Sequence, residues 1–310
     1  MSIPLIFIFS ILISWLFLNI FLPLLKRKII DKPNKRSSHL FPKPSGGGIS
    51  FVLVGTTLTF IMGNYIPLVS LPLAIVGLID DYSKITRKFR YFIQLFTVII
   101  LLSISPQISS LFSQSPKLLT VLMLLFLILL GTAIINFFNF MDGMDGLLAG
   151  NIIIIFSMGA FLCSGTYLLI VGPLIGFLIF NWPPAKVFMG DIGSTFLGSI
   201  FYGLLLTTNN FEDFIKLILL SSPILGDAFI CVIRRFIKKH NIFEPHKLHL
   251  YQRLNQKGWS HSSVSLLYIS CTLLIAITMV LGNLQIMFLI VFSLFLLGVW
   301  LDKTKAVPFI

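Results

Sequence analysis

Apolar residues run through this chain in blocks of roughly membrane-span length, separated by short polar or Gly/Pro-rich stretches. A helix needs about 20 apolar residues to cross a bilayer, and tilt or local thinning accommodates shorter blocks. The pattern predicts an all-α polytopic integral membrane protein, a single transmembrane domain over residues 1–310 with about 11 spans. The predicted spans are 3–25, 47–62, 66–79, 91–105, 118–136, 147–163, 166–181, 194–208, 214–233, 263–282 and 284–301.

The basic residues fall almost entirely on one side of these spans. If the loops alternate sides, only Lys117 and Lys216 of the 23 Lys and Arg residues lie opposite the rest. The positive-inside rule makes the basic side cytoplasmic, with the N-terminus outside and the C-terminus inside. The cytoplasmic segments are then 26–46, 80–90, 137–146, 182–193, 234–262 and the tail from residue 302. Because the opposite loops are very short, we expect any chemistry at the cytoplasmic face.

Composition changes this picture little. Hydrophobic residues make up 56% of the chain and charged residues 11%, as expected of a membrane protein. The net charge of +12 follows from the loop charges that set topology, so we predict no nucleic-acid binding. The three cysteines stand alone in apolar segments without metal or redox spacing, which predicts packing roles.

Carboxylates recur in three of the predicted cytoplasmic segments, next to the ends of the spans. Asp80 and Asp81 follow the third span, and adjacent acids at a membrane mouth require a cation or basic partner. Their oxygens suit Mg²⁺ or Mn²⁺ shared with a phosphate, although nearby basic residues could also neutralise a plain helix-end pair. Asp142 and Asp145 lie three residues apart within Asn136–Gly146, where Asp-Gly steps could also be simple turns.

The third acidic mouth is the stretch Asn181–Ser194, which follows the seventh span. Asp191 stands between two glycines just before the eighth span begins. A helix N-terminus with flanking glycines can bind an anion, and helix capping by Asp191 or Ser194 is the alternative.

Two basic loops lie on the same predicted face. One combines His246, His249 and Arg253 and would suit either phosphate or anionic lipid headgroups. The two histidines could also bind a metal ion, but the sequence offers no third ligand in step with them. The other loop holds Lys35, Arg36, His39 and Lys43, before the run 44–48 (Pro-Ser-Gly-Gly-Gly). Together, acids and bases on one face are what cleavage of a pyrophosphate at the membrane surface requires.

These residues resemble the polyprenyl-phosphate N-acetylhexosamine-1-phosphate transferases, which belong to glycosyltransferase family 4. The resemblance rests on the run 44–48, on Asp80-Asp81 with Lys84, on the strings 139–146 and 188–194, and on the His-rich loop, all in family order. It implies ten or eleven helices in the bacterial inner membrane. It also implies Mg²⁺-dependent transfer of sugar-1-phosphate from a UDP-sugar to undecaprenyl phosphate, which releases UMP and initiates cell-surface glycan synthesis.

The resemblance also implies roles for individual residues. Asp191 would bind the catalytic Mg²⁺ (or Mn²⁺), and Asp80 and Asp81 would stand beside the reacting phosphates. Phe188 would stack on uracil, and the remaining nucleotide contacts would come from Lys84, Asn139, Asp142, Asp145 and Asn181. His246, His249 and Arg253 would hold the diphosphate. Membrane lipid is the expected surrounding, and a homodimer is left open.

The donor sugar depends on a departure from the family pattern. Members that use N-acetylglucosamine tend to show His-x-His-His in the last loop, whereas this chain has His-Lys-Leu-His-Leu-Tyr-Gln-Arg over 246–253. That string is similar to the branch that begins O-antigen (lipopolysaccharide) or capsule chains with N-acetylfucosamine or N-acetylquinovosamine, so we predict a 6-deoxy sugar, with N-acetylglucosamine as the alternative. A cation-coupled transporter is the rival from another class, but only Asp227 lies inside a predicted span.

Overall fold

The computed structural model describes residues 3–33, 41–241, 244 and 246–309. Lys35, Arg36 and His39 of the predicted basic loop therefore lie outside the described residues. The helices are α1 (Ile3–Lys28), α2 (Ile49–Ile61), α3 (Ile66–Tyr82), α4 (Arg87–Ser103), α5 (Pro106–Ser113), α6 (Lys117–Met141), α7 (Leu147–Leu162), α8 (Leu168–Asn181), α9 (Asp191–Leu206), α10 (Phe211–Leu220), α11 (Ser222–Ile237), α12 (Leu250–Gln256), α13 (His261–Leu281) and α14 (Leu284–Thr304). A 3₁₀ turn covers Gly165–Tyr167, and the short strands β1 (Ile30–Asp31) and β2 (Lys43–Pro44) pair antiparallel.

The all-α membrane architecture is confirmed in this chain. By length and composition, α1, α6, α13 and α14 could each cross a membrane, and the total rises to six if each of two bent helix pairs is counted as one span. Shorter apolar helices lie at Ile49–Ile61, Leu147–Leu162, Gly165–Asn181 and Asp191–Leu206. The count of eleven spans and the orientation of the termini stay predictions.

Two predicted spans differ in shape from the expectation. The span 214–233 is a bent pair, in which α10 and α11 meet at 74°. Pro223 stands in the first turn of α11, where a missing N–H is tolerated and the preceding helix cannot continue through it. The predicted span 91–105 corresponds to α4, which ends at Ser103. The chain then bends by 72° into α5, which starts at Pro106. Both bends follow from proline signals that a hydropathy count ignores.

The loops separate onto two ends of the bundle as the alternation predicts. At one end Lys43 contacts Asp145, and Arg90 contacts Asp191, so loops from different spans meet there. At the other end Asn64 Nδ2 donates to Thr166 Oγ1 at 3.0 Å, and Ser105 Oγ donates to the Leu206 carbonyl at 2.9 Å. We call the first end, formed by the segments predicted as cytoplasmic, the polar end.

Helix α9 lies at the centre of the bundle, and every residue from Ile192 to Leu206 is buried. Its first residues are approached closely by α3, because a Cβ on Gly77 would lie 2.5 Å from the Asp191 carbonyl carbon. Small residues at helix contacts allow such approach in membranes. The packing brings the C-terminal end of α3, with its two aspartates, against the N-terminal end of α9.

Candidate active site

An arginine joins two of the predicted site carboxylates. Arg90, in the first turn of α4, places Nη1 2.7 Å from Asp80 Oδ2 and Nη2 2.7 Å from Asp191 Oδ2. Asp80 also accepts from the Ile85 amide at 2.7 Å. The three charged side chains are 15–26% exposed, so the cluster is shielded but reachable from solvent. The structure therefore brings Asp80 and Asp191 together, with a cation between them.

Asp81 is placed differently from its neighbour. Its two carboxylate oxygens accept from the backbone amides of Asp191 at 3.1 Å and Ile192 at 3.4 Å, so it caps the start of α9 from another helix. Gly190 precedes this helix with φ of +78°, and a Cβ there would lie 2.2 Å from Asp81 Oδ2. Only glycine fits this combination of backbone angle and contact. Asp81 thus fixes the position of Asp191.

Asn139 connects the end of α6 to the same cluster. In the side-chain orientation that gives both amide atoms a partner, the oxygen of Asn139 accepts from Arg90 Nη2 at 3.0 Å. The nitrogen then donates to Asp191 Oδ1 at 3.1 Å and to Ser194 Oγ at 3.2 Å. Asn139 therefore holds Arg90 and Asp191 in one network. A network of this kind keeps a carboxylate in place before any ligand arrives.

Asp142 differs from the other site aspartates, which all have hydrogen-bond partners. In the described part of the chain its half-buried carboxylate has no hydrogen bond or ion pair. Burial raises the pKa of Asp142 well above its usual range, and the negative charges of Asp191, Asp81 and Asp145 raise it further. A group whose ionised form is opposed by other acids gains most from a bound cation.

Asp145 is almost fully buried and is held by several groups. Its Oδ2 accepts from the Ala185 amide at 2.9 Å and lies 3.4 Å from Lys43 Nζ, while Oδ1 lies 3.2 Å from His261 Nδ1. Burial raises its pKa, but the contacts with His261, Ala185 and Lys43 outweigh this and hold the pKa below its usual value. Asp145 is thus an ionised anchor that ties the loop 142–146 to β2, to the 182–190 loop and to α13.

The remaining predicted nucleotide residues border this anchor. Asn181 accepts from the Gly146 amide at 3.1 Å and donates to the Val187 carbonyl at 3.0 Å, which links the same two loops. Phe188 is half-buried, and Lys43 Nζ lies 5.2 Å from its ring centre. Lys84 is exposed beyond the end of α3. The structure brings Asn139, Asp142, Asp145, Asn181 and Phe188 to the polar end around two connected loops, with Lys84 on its outer side.

The predicted phosphate-binding histidines pack against each other and, through His249, against Phe140 at the end of α6. The His246 and His249 rings have centroids 5.0 Å apart, and His249 is buried. The next residue but one, Tyr251, donates to the Phe140 carbonyl at 2.8 Å. Burial lowers the pKa of His246 to about 3, and electrostatic interactions with His249 and Arg235 act in the same direction. His246 is therefore neutral at physiological pH.

Asp227, the carboxylate inside a predicted span, anchors this histidine segment. It accepts from the amides of Leu250 and Tyr251 at 2.8 and 3.2 Å, and from the Tyr268 hydroxyl at 2.7 Å. These contacts cap α12 and occupy both oxygens of the carboxylate. The arrangement gives Asp227 a structural use and lends no support to a transporter.

Arg253 is buried against the C-terminal tail. Its guanidinium donates to the carbonyls of Leu248 at 3.1 Å and Val307 at 2.8 Å and pairs with Asp302. Arg253 thus connects α12 to the C-terminal tail, and its role in binding phosphate stays a prediction.

Sequence reasoning missed two basic residues of the site, Arg90 and His261. Arg90 was counted only as a loop charge, and His261 gave no usable signal. Arg90 does lie ten residues after Asp80 at the start of a helix, but which carboxylates it reaches depends on how α3, α4 and α9 pack.

Comparison with known proteins identifies the family. The family model for glycosyl transferase family 4 matches residues 64–209, which contain Asp80, Asp81, Arg90, Asn139 and Asp191. A Bacillus subtilis protein named as a probable undecaprenyl-phosphate N-acetylglucosaminyl 1-phosphate transferase is 31% identical over 298 residues, covering 84% of this chain and 80% of the relative. The chain belongs to glycosyl transferase family 4.

Other members of the family carry related names. An undecaprenyl-phosphate alpha-N-acetylglucosaminyl 1-phosphate transferase from Thermotoga maritima is 30% identical, covering 75% of each chain. A phospho-N-acetylmuramoyl-pentapeptide-transferase from Deinococcus radiodurans is 31% identical over 62% of this chain and 72% of its own length. The resemblance stated from the sequence motifs is thereby confirmed at the level of the family, and the branch within it is not.

Proposed function

We propose that this family 4 member transfers N-acetylhexosamine-1-phosphate from a UDP-sugar to undecaprenyl phosphate and releases UMP. The reaction would take place at the cytoplasmic face of the bacterial inner membrane. The observation that carries the proposal is the network of Asp80, Arg90, Asn139 and Asp191, with Asp142 beside it, at the polar end. The names of relatives that act on undecaprenyl phosphate support the acceptor.

The donor sugar that the relatives support is N-acetylglucosamine, since the Bacillus and Thermotoga proteins carry it in their names. This reverses the order of preference drawn from the 246–253 string, which favoured a 6-deoxy sugar. The string remains the specific observation for N-acetylfucosamine or N-acetylquinovosamine as the second candidate.

The residues present fit a hard divalent cation such as Mg²⁺. Asp80 and Asp191 offer carboxylate oxygens, which Mg²⁺ prefers, and the arginine between them marks a position that favours positive charge. Asp142, whose ionised form is opposed by neighbouring acids, would also gain from the charge of a nearby ion. When bound, the ion would neutralise the diphosphate and stabilise the departing phosphate. Asp81 would act by holding Asp191, since its oxygens already accept two amides.

The chain's own residues suit direct attack by the lipid phosphate. A phosphate monoester has a second pKa of about 6, so the acceptor is mostly dianionic at neutral pH and needs little help from a general base. An acceptor oxygen would form a bond to the β-phosphorus as the bond from that phosphorus to the bridging oxygen breaks, and UMP leaves with the electron pair. Arg90 would offset charge near Asp80 and Asp191, and neutral His246 can donate one ring N–H to a phosphate oxygen.

The test is to incubate membranes containing the protein with UDP-sugars labelled in the β-phosphate. We expect Mg²⁺-dependent label in the lipid extract together with UMP, and fastest labelling with UDP-N-acetylglucosamine. Asp191→Asn and Asp80→Asn should each lower turnover about 100-fold or more, equivalent to about 3 kcal/mol. Glu212→Gln, an exposed acid at the opposite end, is the control. The proposal fails if no UDP-N-acetylhexosamine labels lipid, and the metal assignment fails if both Asp variants keep near-normal turnover.

A further inference from the structure

A cysteine from α11 meets the two histidines of the last loop. Cys231, His246 and His249 each offer a ligand atom, and these atoms all lie within 4.8 Å of one another. The sequence did not indicate a third ligand for the two histidines. Cys231 precedes His246 by fifteen residues and lies in α11, whereas the histidines lie in the loop that follows this helix. We propose that these three side chains form a binding site for a Zn²⁺-class ion, separate from the Asp80–Asp191 cluster.

The ligand types fit this class of ion. Zn²⁺ binds thiolate sulfur and imidazole nitrogen, and sites with three protein ligands keep a fourth position open. Tetrahedral ligation at 2.0–2.3 Å requires ligand atoms about 3.5 Å apart, so closing the triad needs movements of roughly 1 Å. His246 is half-buried, and its Nδ1 accepts from the Leu248 amide at 3.3 Å, a bond that ligation through Nδ1 would replace, whereas Cys231 and His249 are only 3% and 2% exposed. Entry from solvent is therefore on the His246 side.

The Nδ1 atom of His249 has a carboxylate nearby that could orient the ring for metal binding through the other nitrogen. His249 Nδ1 is buried and has no hydrogen-bond partner among the described residues, and Asp227 Oδ1 is 3.7 Å away, too far for a hydrogen bond. A buried imidazole that ligates a metal through one nitrogen donates from the other to a carboxylate. Asp227, four residues before Cys231 on α11, is in position to accept that bond.

The charges and protons also balance. On binding, the Cys231 thiol loses its proton to solvent and its sulfur bonds to the metal. The thiolate and the Asp227 carboxylate then offset the two positive charges of the ion. His246 would bind through the unprotonated nitrogen of its neutral imidazole, so no second proton is released.

The experiment uses Co²⁺ as a spectroscopic probe for the full-length protein in detergent, after removal of metals with a chelator. Tetrahedral thiolate–Co²⁺ sites show a sulfur-to-cobalt charge-transfer band and intense visible bands. We expect these bands to saturate at one Co²⁺ per chain and to disappear when Zn²⁺ displaces it. Cys231→Ser should abolish the charge-transfer band and weaken binding about 100-fold or more.

Cys163→Ser and Cys271→Ser are matched controls, since both residues are free cysteines outside the triad. Both should retain the full charge-transfer band. The proposal is overturned if the folded wild-type protein shows no such band at saturating Co²⁺, or if the band persists in Cys231→Ser. Loss of the band in either control variant would equally overturn it.

A consequence for activity rests on the proposed function, in which the same histidines contact phosphate. A metal ion on these rings would compete with the substrate, so Zn²⁺ should inhibit the Mg²⁺-supported reaction. Cys231→Ser should keep its basal turnover and need about 100-fold more Zn²⁺ for half-inhibition. Because Co²⁺ binding is measured without substrate, failure of the metal site and failure of the transferase assignment give different results. Equal Zn²⁺ sensitivity in both proteins would contradict the competition.

Discussion

Removing the guanidinium of Arg90 is the sharpest test of the acid cluster. Arg90→Met deletes two charge-assisted hydrogen bonds of 2.7 Å and leaves Asp80 and Asp191 without their shared cation. Such bonds contribute about 1.5–3 kcal/mol each, and partial exposure of all three groups reduces the sum to about 2–4 kcal/mol. Unfolding entropy of about 2.1 cal/mol/K per residue over 310 residues converts 1 kcal/mol to about 1.5 °C. We therefore expect the apparent Tm to fall by about 3–6 °C in a chelating buffer.

The metal dependence of this shift separates a cation site from an ordinary ion pair. In the wild-type protein the guanidinium competes with Mg²⁺ for the oxygens of Asp80 and Asp191, so the Mg²⁺ concentration that supports turnover should raise the Tm less than it does in Arg90→Met. In Arg90→Met these oxygens are free, and Mg²⁺ at 100 times its Kd should return about 2.7 kcal/mol. Thermal unfolding in detergent with and without Mg²⁺ measures both shifts.

Two variants control for charge and for position. Arg90→Lys keeps the charge but cannot bridge two carboxylates with one planar group, so its Tm should fall between the others. Lys88→Met removes an exposed cation from the same helix and should change the Tm by less than about 1 °C. Equal Tm values for Arg90→Met and wild type in chelator, or equal Mg²⁺ shifts, would refute the assignment of this cluster as the cation site.

Gly190→Ala should lower the Tm strongly, since φ of +78° and a 2.2 Å contact with Asp81 Oδ2 both oppose a Cβ. Gly63→Ala, with φ of +79° and open space, isolates the backbone cost, and an equal loss in both would contradict the contact with Asp81. For His246, the folded pKa of about 3 lies below the ordinary 6.5, so its stabilising contribution is full above about pH 6.5 and is lost as pH falls toward 3. An NMR titration should show the His246 ring unprotonated above about pH 5. A titration midpoint near 6.5 would refute the lowered pKa.

Hydropathy and charge predicted the architecture well because both act along the chain. The described parts of the six segments assigned to one side do meet at the polar end. Lys43 and Ala185 contact Asp145, and Arg90 contacts Asp191. Tyr251 contacts Phe140, and Arg253 contacts Asp302. Motif order also singled out the correct family. These signals are local in sequence, so they can be interpreted without knowing how the helices pack.

The pairings within the site depend on packing and were beyond the sequence. Asp80 and Asp81 are adjacent in sequence and project in different directions from α3, so that one meets Arg90 while the other caps α9. Cys231 reaches the histidines only because Asp227 fixes the N-terminus of α12 against α11. Spacing along the chain carries no information on either choice, since helix rotation and loop path decide both.

The division between Asp80 and Asp81 changes how the acidic pair is interpreted. In the sequence, nothing distinguished Asp80 from Asp81 as a candidate metal ligand. As structure, the Asp81 oxygens are engaged by the first amides of α9, so its loss would displace Asp191 along with the helix. Asp80 instead faces the same arginine as Asp191 and shares its charge environment. Loss of activity on mutation of either residue would therefore look alike in turnover, and only the metal dependence distinguishes a ligand from the residue that positions one.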